Sequence, residues 1–255
     1  MSNELPARQF RAVWISDVHL GARECQAARL AEFLQQVETP QLYLVGDIVD
    51  TWKLRRRWYW PSSHNAVFTR IMKMEQLGTA VILMPGNHDE MLRDYLGMSF
   101  GNVKILDDTI HTTLDGRRFL VIHGDQFDDV IIHAKWLAFI GERAYTIAIY
   151  VNQAFNYIRR KMGFAYWSLS AYLKQRVKAA AVRDYREKLV RAAQDRKLDG
   201  VICGHTHFAE ITDINGIFYM NDGDWVESCT ALVEHLDGRL EIIDFRPTNQ
   251  LQVAV

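Results

Sequence analysis

The apolar positions at the start of the chain form three continuous blocks that alternate with two stretches of helical spacing. In the first of these stretches, Leu30, Phe33 and Leu34 lie on one helical face. Uninterrupted apolar strands are covered on both faces, so the order strand, helix, strand, helix, strand predicts a largely parallel sheet flanked by helices. The predicted strands cover residues 10–20, 41–47 and 79–89, and the predicted helices cover residues 24–37 and 64–77.

The pattern changes further along the chain. Residues 127–196 show no strand pattern and are rich in aromatic residues, whereas strand patterns return after residue 200 and end in a hairpin with the turn dipeptide Asp237-Gly238. The sequence therefore predicts an α/β fold of mixed sheets flanked by helices. We expect a single domain over residues 1–255, with a helical insertion at 127–196 as a cap or lid. The later predicted strands cover residues 102–106, 111–116, 117–125, 200–211 and 218–225, followed by the hairpin at 229–245.

Composition narrows the class of protein. The 255 residues are 49% hydrophobic, and 30 basic residues nearly balance 31 acidic ones, so no overall field favours nucleic acid. The three cysteines contain no C-x-x-C pair, which argues against a disulfide framework and favours a reduced compartment. No signal-peptide pattern stands at the start, and no apolar run approaches the roughly 18 residues of a membrane span. We expect a cytoplasmic protein that does not cross a membrane.

Polar residues of the metal-ligating types follow the predicted strands where each apolar run breaks. Because ligands bind outside the carboxyl ends of strands in α/β sheets, these side chains are expected to meet in one crevice. Pairs with i, i+2 spacing, such as Asp17 with His19 and His205 with His207, can both point into the same crevice. The residues are Asp17 and His19; Asp47; Asn87, His88 and Asp89; His123 and Asp125; and His205 and His207.

A histidine at a strand end is often only a structural residue, and this interpretation suits His64, His111, His133 and His235. The other five of the nine histidines all stand at strand ends beside Asp, Asn or Gly, which favours a metal site. Carboxylate, imidazole and amide ligands together suit Mn, Fe, Co or Zn better than Ca or Mg.

The motifs D-x-H, G-D-x-x-D, G-N-H-D, H-G-D and G-H-T-H, in this order over residues 17–207, closely resemble those of the calcineurin-like metallophosphoesterases. The resemblance implies the metallophosphoesterase sandwich fold and a hydrolase acting on phosphate esters. It also implies two divalent metal ions, with Asp47 bridging them. The first ion would be held by Asp17, His19, Asp47 and His207, and the second by Asp47, Asn87, His123 and His205.

The same resemblance implies that His88 lies close to the phosphoryl oxygens. There it could stabilise charge or protonate the leaving oxygen, with Asp89 orienting its ring. Capping of the next helix is an equally good interpretation of Asp89.

The segment "TWKLRRRWYWP", residues 51–61, begins near Asp47 and combines aromatic with basic residues. It could be a packed loop with solvated arginines, or an interfacial anchor near the mouth of the crevice. The insertion at 127–196 also combines aromatic with basic residues. It could be a packed cap, or a lid that offers a trough for acyl chains and a basic rim for phosphate. The expected substrate contacts are Asp125, Arg55, Arg56, Arg57, Trp58, Arg159 and Arg160.

A helical insertion between H-G-D and G-H-x-H resembles the bacterial UDP-2,3-diacylglucosamine diphosphatases of lipid A biosynthesis. That resemblance implies a manganese enzyme peripheral to the cytoplasmic face of the inner membrane, which cleaves UDP-2,3-diacylglucosamine to UMP and a lipid monophosphate. Those enzymes commonly have Arg at the position of His88. Two alternatives stay open: a metallophosphoesterase of another lipid-linked or soluble phosphodiester, and a non-catalytic scaffold. The sequence leaves the metal, the acyl-chain preference and the oligomeric state undetermined.

Overall fold

A computed structural model of the chain describes residues 8–128 and 169–246, and the side chains of all of these except 169–181. The described residues separate into two compact units, one formed by residues up to Gly124 and from Val190 onward, the other by Asp125–Leu189. The helices are α1 Ala27–Gln35, α2 Thr51–Arg56, α3 Ser62–Gln76 and α4 Leu169–Asp195, with short 3-10 turns at Glu90–Tyr95 and Asp125–Phe127.

Thirteen strands belong to the described residues. They are β1 Arg8–Ile15, β2 Val37–Glu38, β3 Gln41–Val45, β4 Ala80–Met84, β5 Ser99–Phe100, β6 Val103–Ile105, β7 Asp108–Thr112, β8 Arg118–Ile122, β9 Gly200–Cys203, β10 Glu210–Ile214, β11 Ile217–Asn221, β12 Thr230–His235 and β13 Leu240–Asp244.

The strands form two mixed sheets. The larger has the order β13-β12-β1-β3-β4-β6-β5, with β2 paired to β1, and the smaller has the order β10-β11-β9-β8-β7. Strands β1, β3 and β4 are parallel neighbours in the larger sheet, and β8 and β9 are parallel neighbours in the smaller. The carboxyl ends of parallel strands lie on one edge of their sheet, so each sheet presents adjacent loops at one edge.

Two apolar clusters cover the two faces of the larger sheet. On one face, residues of β1 and β3 such as Val13 and Leu42 pack with Leu30 and Phe33 of α1 and with Val67 of α3. On the other face, side chains of both sheets meet in a second cluster, so the two sheets pack face to face. That cluster contains Ala12, Trp14, Tyr43, Val45, Met84 and Leu232 from the larger sheet, and Phe119, Val121, Ile202 and Met220 from the smaller.

The predicted α/β class with mixed sheets and flanking helices is confirmed, but two of the predicted strands lie differently and one helix was missed. The predicted strand at 111–116 lies earlier, as β7, because residues 113–117 turn: the N–H of Thr113 donates to the carbonyl of Arg117. The predicted strand at 200–211 is two strands, β9 and β10, separated by the G-H-T-H motif. Helix α2 was not predicted, and it begins where Asp50 accepts a hydrogen bond from the N–H of Lys53.

Helix α4 lies within the predicted insertion, and its helical character agrees with the sequence pattern. Most of the aromatic residues of that insertion, together with Arg159 and Arg160, lie outside the described residues. The insertion as a cap or lid therefore stays a prediction. Among the described helices, none combines the length and the apolar character that crossing a membrane requires.

Candidate metal centre

The candidate ligands follow directly on the ends of strands. Asp17 and His19 come after β1, Asp47 after β3, and Asn87 after β4, so three neighbouring parallel strands of the larger sheet supply them. In the smaller sheet, His123 follows β8, and the pair His205 and His207 follows β9. The structure brings all of these loops to one site, because the carboxyl edges of the two packed sheets face the same way.

The backbone at this site is turned into an uncommon conformation. Asp17, His19, Asp47, His205 and His207 all have left-handed backbone, with φ between 50° and 70°. They are five of the eight non-glycine residues with positive φ in the described part of the chain. Such residues cost about 1–3 kcal/mol each and concentrate at functional sites, where the surrounding structure holds them.

The first ligand group consists of Asp17, His19 and His207, whose ligand atoms all lie within 4.8 Å of one another. The Nε2 atom of His207 lies 3.1 Å from Oδ1 of Asp17, and that of His19 lies 3.9 Å from the same oxygen. Burial raises the pKa of Asp17, but the close imidazoles of His207 and His123 outweigh it and hold that pKa below its usual range. The carboxylate is therefore ionised and attracts a cation.

The second group consists of Asp47, His123 and His205, again within 4.8 Å of one another. The Nδ1–H of His123 donates to the carbonyl oxygen of Val45 at 2.7 Å, which fixes the ring. Its Nε2 atom then points toward Oδ2 of Asp47, 3.5 Å away. A backbone carbonyl that accepts from the far ring nitrogen is the usual way in which a ligating histidine is oriented.

Asp47 also belongs to a third group, with His19 and His88. Its Oδ1 atom accepts a hydrogen bond of 2.7 Å from the N–H of His88. Its Oδ2 atom lies 3.9 Å from Nε2 of His19 and 3.5 Å from Nε2 of His123. Burial raises the pKa of Asp47. The nearby imidazoles of His123 and His19 lower that pKa by more than burial raises it, so the net shift is downward. One ionised oxygen thus lies between histidines of the first and second groups.

Asn87 is buried, and its Oδ1 atom has no hydrogen-bond partner among the described residues. Gly86, just before it, approaches the site so closely that a Cβ atom there would lie 2.3 Å from Oδ1 of Asp47 and 2.6 Å from Nε2 of His123. The Nε2 atom of His19 is likewise buried without a hydrogen-bond partner in the described region. Buried polar atoms of this kind are costly unless a ligand satisfies them, so the donor set fits divalent cations.

Asp89 has different contacts from those expected of it. Its carboxylate accepts hydrogen bonds from the N–H groups of Gly86, Asp47, Ile48 and Val49, at 2.7–3.3 Å. Its side chain makes no capping bond to the 3-10 turn that follows. Asp89 therefore ties the loop after β4 to the loop after β3, and it faces backbone rather than the ring of His88.

The carboxylate that faces the ring of His88 is Asp50, which the sequence analysis did not select. Its Oδ1 atom lies 3.3 Å from Nδ1 of His88, and its Oδ2 atom lies 3.6 Å from Nδ1 of His19. Burial raises the pKa of Asp50, but the nearby rings of His19 and His88 and the hydrogen bond from the N–H of Lys53 lower it to about 2. The sequence signal for this role was available, because Asp50 is the second aspartate of the G-D-x-x-D motif.

A second carboxylate, that of Asp222, is connected to Asp17 through the hydroxyl of Ser16. The hydroxyl of Ser16 lies 2.5 Å from Oδ2 of Asp17 and 2.6 Å from Oδ1 of Asp222, and both carboxyl groups are buried. Complete burial, together with the negative charge of Asp17, raises the pKa of Asp222 well above its usual range. Asp222 was not selected from the sequence, since it is 206 positions away from Ser16.

The expected substrate contacts are only partly located. Arg55, Arg56, Arg57 and Trp58 are exposed on and just after α2, and the side chain of Trp58 is 74% exposed. Two other residues of this segment contact His88: the ring centroid of Trp52 lies 4.3 Å from that of His88, and the hydroxyl of Thr51 donates to the carbonyl oxygen of His88. Asp125 is buried at the start of the 3-10 turn Asp125–Phe127, in the second compact unit.

The fold and its donor set define a metal-dependent phosphoesterase, which is a hydrolase. The family of calcineurin-like phosphoesterases matches residues 10–209, and the chain belongs to that family. The resemblance found in the motifs is confirmed.

Two curated relatives are similar over most of their length. The UDP-2,3-diacylglucosamine hydrolase of Cellvibrio japonicus (strain Ueda107) is 29% identical, over 78% of this chain and 82% of the relative. The UDP-2,3-diacylglucosamine hydrolase of Aliivibrio fischeri (strain MJ11) is 25% identical, over 88% and 94%. Among solved structures, the phosphoesterase YfcE from E. coli is 14% identical, with 92% of this chain and 99% of that chain covered and a TM-score of 0.44.

Proposed function

We propose that the chain hydrolyses the pyrophosphate of a nucleotide-linked lipid, UDP-2,3-diacylglucosamine, to UMP and a lipid monophosphate, using two divalent metal ions. The observation that carries the two-ion assignment is the position of Asp47, whose Oδ2 atom lies between His19 of the first ligand group and His123 of the second. A carboxylate that serves two ions needs such a position. The substrate follows from the two relatives that are named for it.

The ligand assignment divides the donors between the two ions. Asp17, His19 and His207 would hold the first ion and Asn87, His123 and His205 the second, with Asp47 shared. Manganese is the proposed metal, because this mixture of carboxylate, imidazole and amide suits it. When bound, a pair of such ions supplies an activated water and neutralises charge on the phosphoryl group.

His88 is the proposed acid at the leaving oxygen. It is half-buried, with 25% of its side chain exposed, so one side of the ring is open to substrate. Asp50 faces its Nδ1 atom and Trp52 packs on the ring, and together they fix its orientation. With Nδ1 facing Asp50, Nε2 is the ring nitrogen that would donate the proton.

The exposed aromatic and basic residues around α2 support a peripheral contact with a membrane. Trp58 is more exposed than Trp52, and three consecutive exposed arginines, Arg55, Arg56 and Arg57, precede it. Tryptophan rings suit the interface of a bilayer, and arginines attract anionic headgroups. A substrate that carries two acyl chains would be reached from that surface.

A second candidate is hydrolysis of a different phosphodiester. His88 favours it, because the lipid A diphosphatases that the motifs resemble commonly have Arg at this position. The decisive experiment is manganese-supplemented hydrolysis of UDP-2,3-diacylglucosamine, with an aryl phosphodiester in parallel and the Asp47→Ala protein as background. Faster release of UMP than of the aryl alcohol supports the lipid substrate. Turnover of the diester alone supports the second candidate, and purified protein that binds no metal contradicts both.

A further inference from the structure

Residues 221–225, with the sequence Asn-Asp-Gly-Asp-Trp, comprise the last residue of β11 in the smaller sheet and the first part of the connection to β12 in the larger sheet. We call this segment the 221–225 turn. Its residues are almost completely buried: Asn221, Asp222 and Trp225 are 0% exposed, and Asp224 is 1% exposed. None of them is among the candidate ligands, and a buried turn rich in polar groups needs partners for them.

The side chain of Asn221 bonds to the loop that carries His205 and His207. Its Nδ2 atom donates to the carbonyl oxygen of Gly204 at 2.5 Å and to the hydroxyl of Thr206 at 3.1 Å. Its Oδ1 atom accepts from the N–H of Gly223 at 2.9 Å, within the turn itself. Both amide donors are therefore directed at the residues that alternate with the two histidines.

The same turn also bonds to the loop that carries Asp17. The Oδ1 atom of Asp222 lies 2.6 Å from the hydroxyl of Ser16, and the carbonyl oxygen of Gly223 lies 3.1 Å from it. The N–H of Trp225 donates to the carbonyl oxygen of Asp17 at 3.1 Å. The 221–225 turn is thus hydrogen-bonded to both loops that carry the first ligand group.

The two loops are packed against each other without spare room. A Cβ atom on Gly204 would lie 2.3 Å from the hydroxyl of Ser16 and 2.6 Å from Oδ2 of Asp17. The N–H of His205 donates to that same oxygen at 2.8 Å. Because Asp17, His205 and His207 all have left-handed backbone, their positions depend on contacts that hold it.

We infer that the 221–225 turn sets the spacing between Asp17 and His207, and that Asn221 is the positioning residue through which it acts. Asn221 reaches the metal only through the loop it holds, so it is not itself a ligand. The inference rests on the proposed function in so far as it takes Asp17, His19 and His207 to be ligands. Removing the amide donors should weaken one metal site and leave the other intact.

The experiment measures Mn²⁺ binding to metal-free protein by calorimetry and electron paramagnetic resonance, with unfolding followed separately. The main variant is Asn221→Asp, which keeps the shape and the acceptor for Gly223 but removes both donors. Thr206→Val is a milder change that removes one acceptor of Asn221 and stays informative if the first variant does not fold. The matched control is Tyr43→Phe. It removes a buried hydrogen bond between the sheets, from the hydroxyl of Tyr43 to His111 at 3.0 Å, and it lies far along the chain from the 221–225 turn.

We expect Asn221→Asp to weaken one Mn²⁺ site by roughly 10- to 100-fold, as loss of an outer contact does at other metal sites. Thr206→Val should weaken the same site less. Tyr43→Phe should lower stability and leave both sites unchanged, which separates positioning from a general loss of structure. Wild-type affinity at both sites in a folded Asn221→Asp protein, or in Thr206→Val if the former is unfolded, overturns the inference. Failure of wild-type protein to bind Mn²⁺, or unchanged binding in Asp47→Ala, overturns the proposed function instead.

Discussion

The Oδ1 atom of Asp50 lies 3.3 Å from Nδ1 of His88. The same carboxylate faces His19 through its other oxygen and accepts the first hydrogen bond of helix α2 from the N–H of Lys53. One buried acid thus connects a candidate metal ligand, the candidate leaving-group acid and the start of a helix that carries exposed tryptophan and arginine.

Asp50→Asn should lower kcat by roughly 10- to 100-fold, because the amide cannot orient the rings of His88 and His19 as a carboxylate does. Asparagine is also a good N-cap, so the free energy of unfolding should change little. Asp50→Ala should lose about 1 kcal/mol more through the missing cap. Steady-state kinetics and urea unfolding of the two variants separate these effects, and full activity of Asp50→Asn would show that its charge has no role.

Asp89→Ala should destabilise the protein by about 3 kcal/mol or more, because it leaves buried N–H groups of Gly86 and residues 47–49 without their acceptor. The loss should be present in metal-free protein, as measured by urea unfolding. Asp89→Asn keeps one acceptor oxygen and should lose less. A variant of normal stability that has lost turnover would instead support the catalytic role that the sequence suggested.

Asp47→Ala should reduce turnover by at least about a thousandfold and disturb both metal sites, since it removes the one carboxylate shared between ligand groups. Metal content after dialysis against Mn²⁺ measures the second effect directly. The control is Asp94→Ala, which removes an exposed carboxylate from the 3-10 turn at Glu90–Tyr95. Near-normal activity of Asp47→Ala would exclude the two-ion arrangement.

The double variant Arg56→Ala, Trp58→Ala should slow hydrolysis of a lipid-linked pyrophosphate in vesicles by roughly tenfold and spare a small aryl diester. Each basic residue near an anionic surface contributes about 1 kcal/mol of attraction, and the tryptophan adds interfacial anchoring. Lys73→Ala with Leu77→Ala removes an exposed basic and an exposed apolar side chain at the end of α3, and it serves as the control. Equal losses on both substrates would mean that the α2 segment is only structural.

His111 gives a pH prediction. Burial lowers its pKa, and this effect outweighs the nearby carboxylate of Glu234, so the folded protein holds the ring neutral. A histidine whose pKa is depressed by folding contributes stability above its unfolded pKa of about 6.5, and that stability is lost as the pH falls. Metal-free wild-type protein should therefore lose more unfolding free energy between about pH 7.5 and about pH 5 than His111→Gln does. Tyr43→Phe, which keeps the imidazole, should retain the acid loss, and identical slopes for wild type and His111→Gln would contradict the prediction.

The sequence by itself determined the order of the main strands and helices and the positions of the candidate ligands. Both follow from local rules: an apolar run makes a buried strand, and the break at its end puts polar side chains at the sheet edge. His123 and His111 illustrate what these local rules can predict about a histidine. One stands at a strand end beside glycine and the other within the pattern of a strand, and the structure places the first in a ligand group and the second in a buried network with Tyr43 and Glu234.

Only the tertiary structure decided what surrounds those ligands. Asp89 accepts hydrogen bonds from four N–H groups, and three of these belong to a loop about 40 positions earlier in the chain. Asp222 accepts a hydrogen bond from Ser16, which is 206 positions away. The left-handed backbone of Asp17 and Asp47 is likewise held by hydrogen bonds between the loops of different strands. No local pattern encodes such contacts, because they exist only once the two sheets have packed and brought their carboxyl edges together.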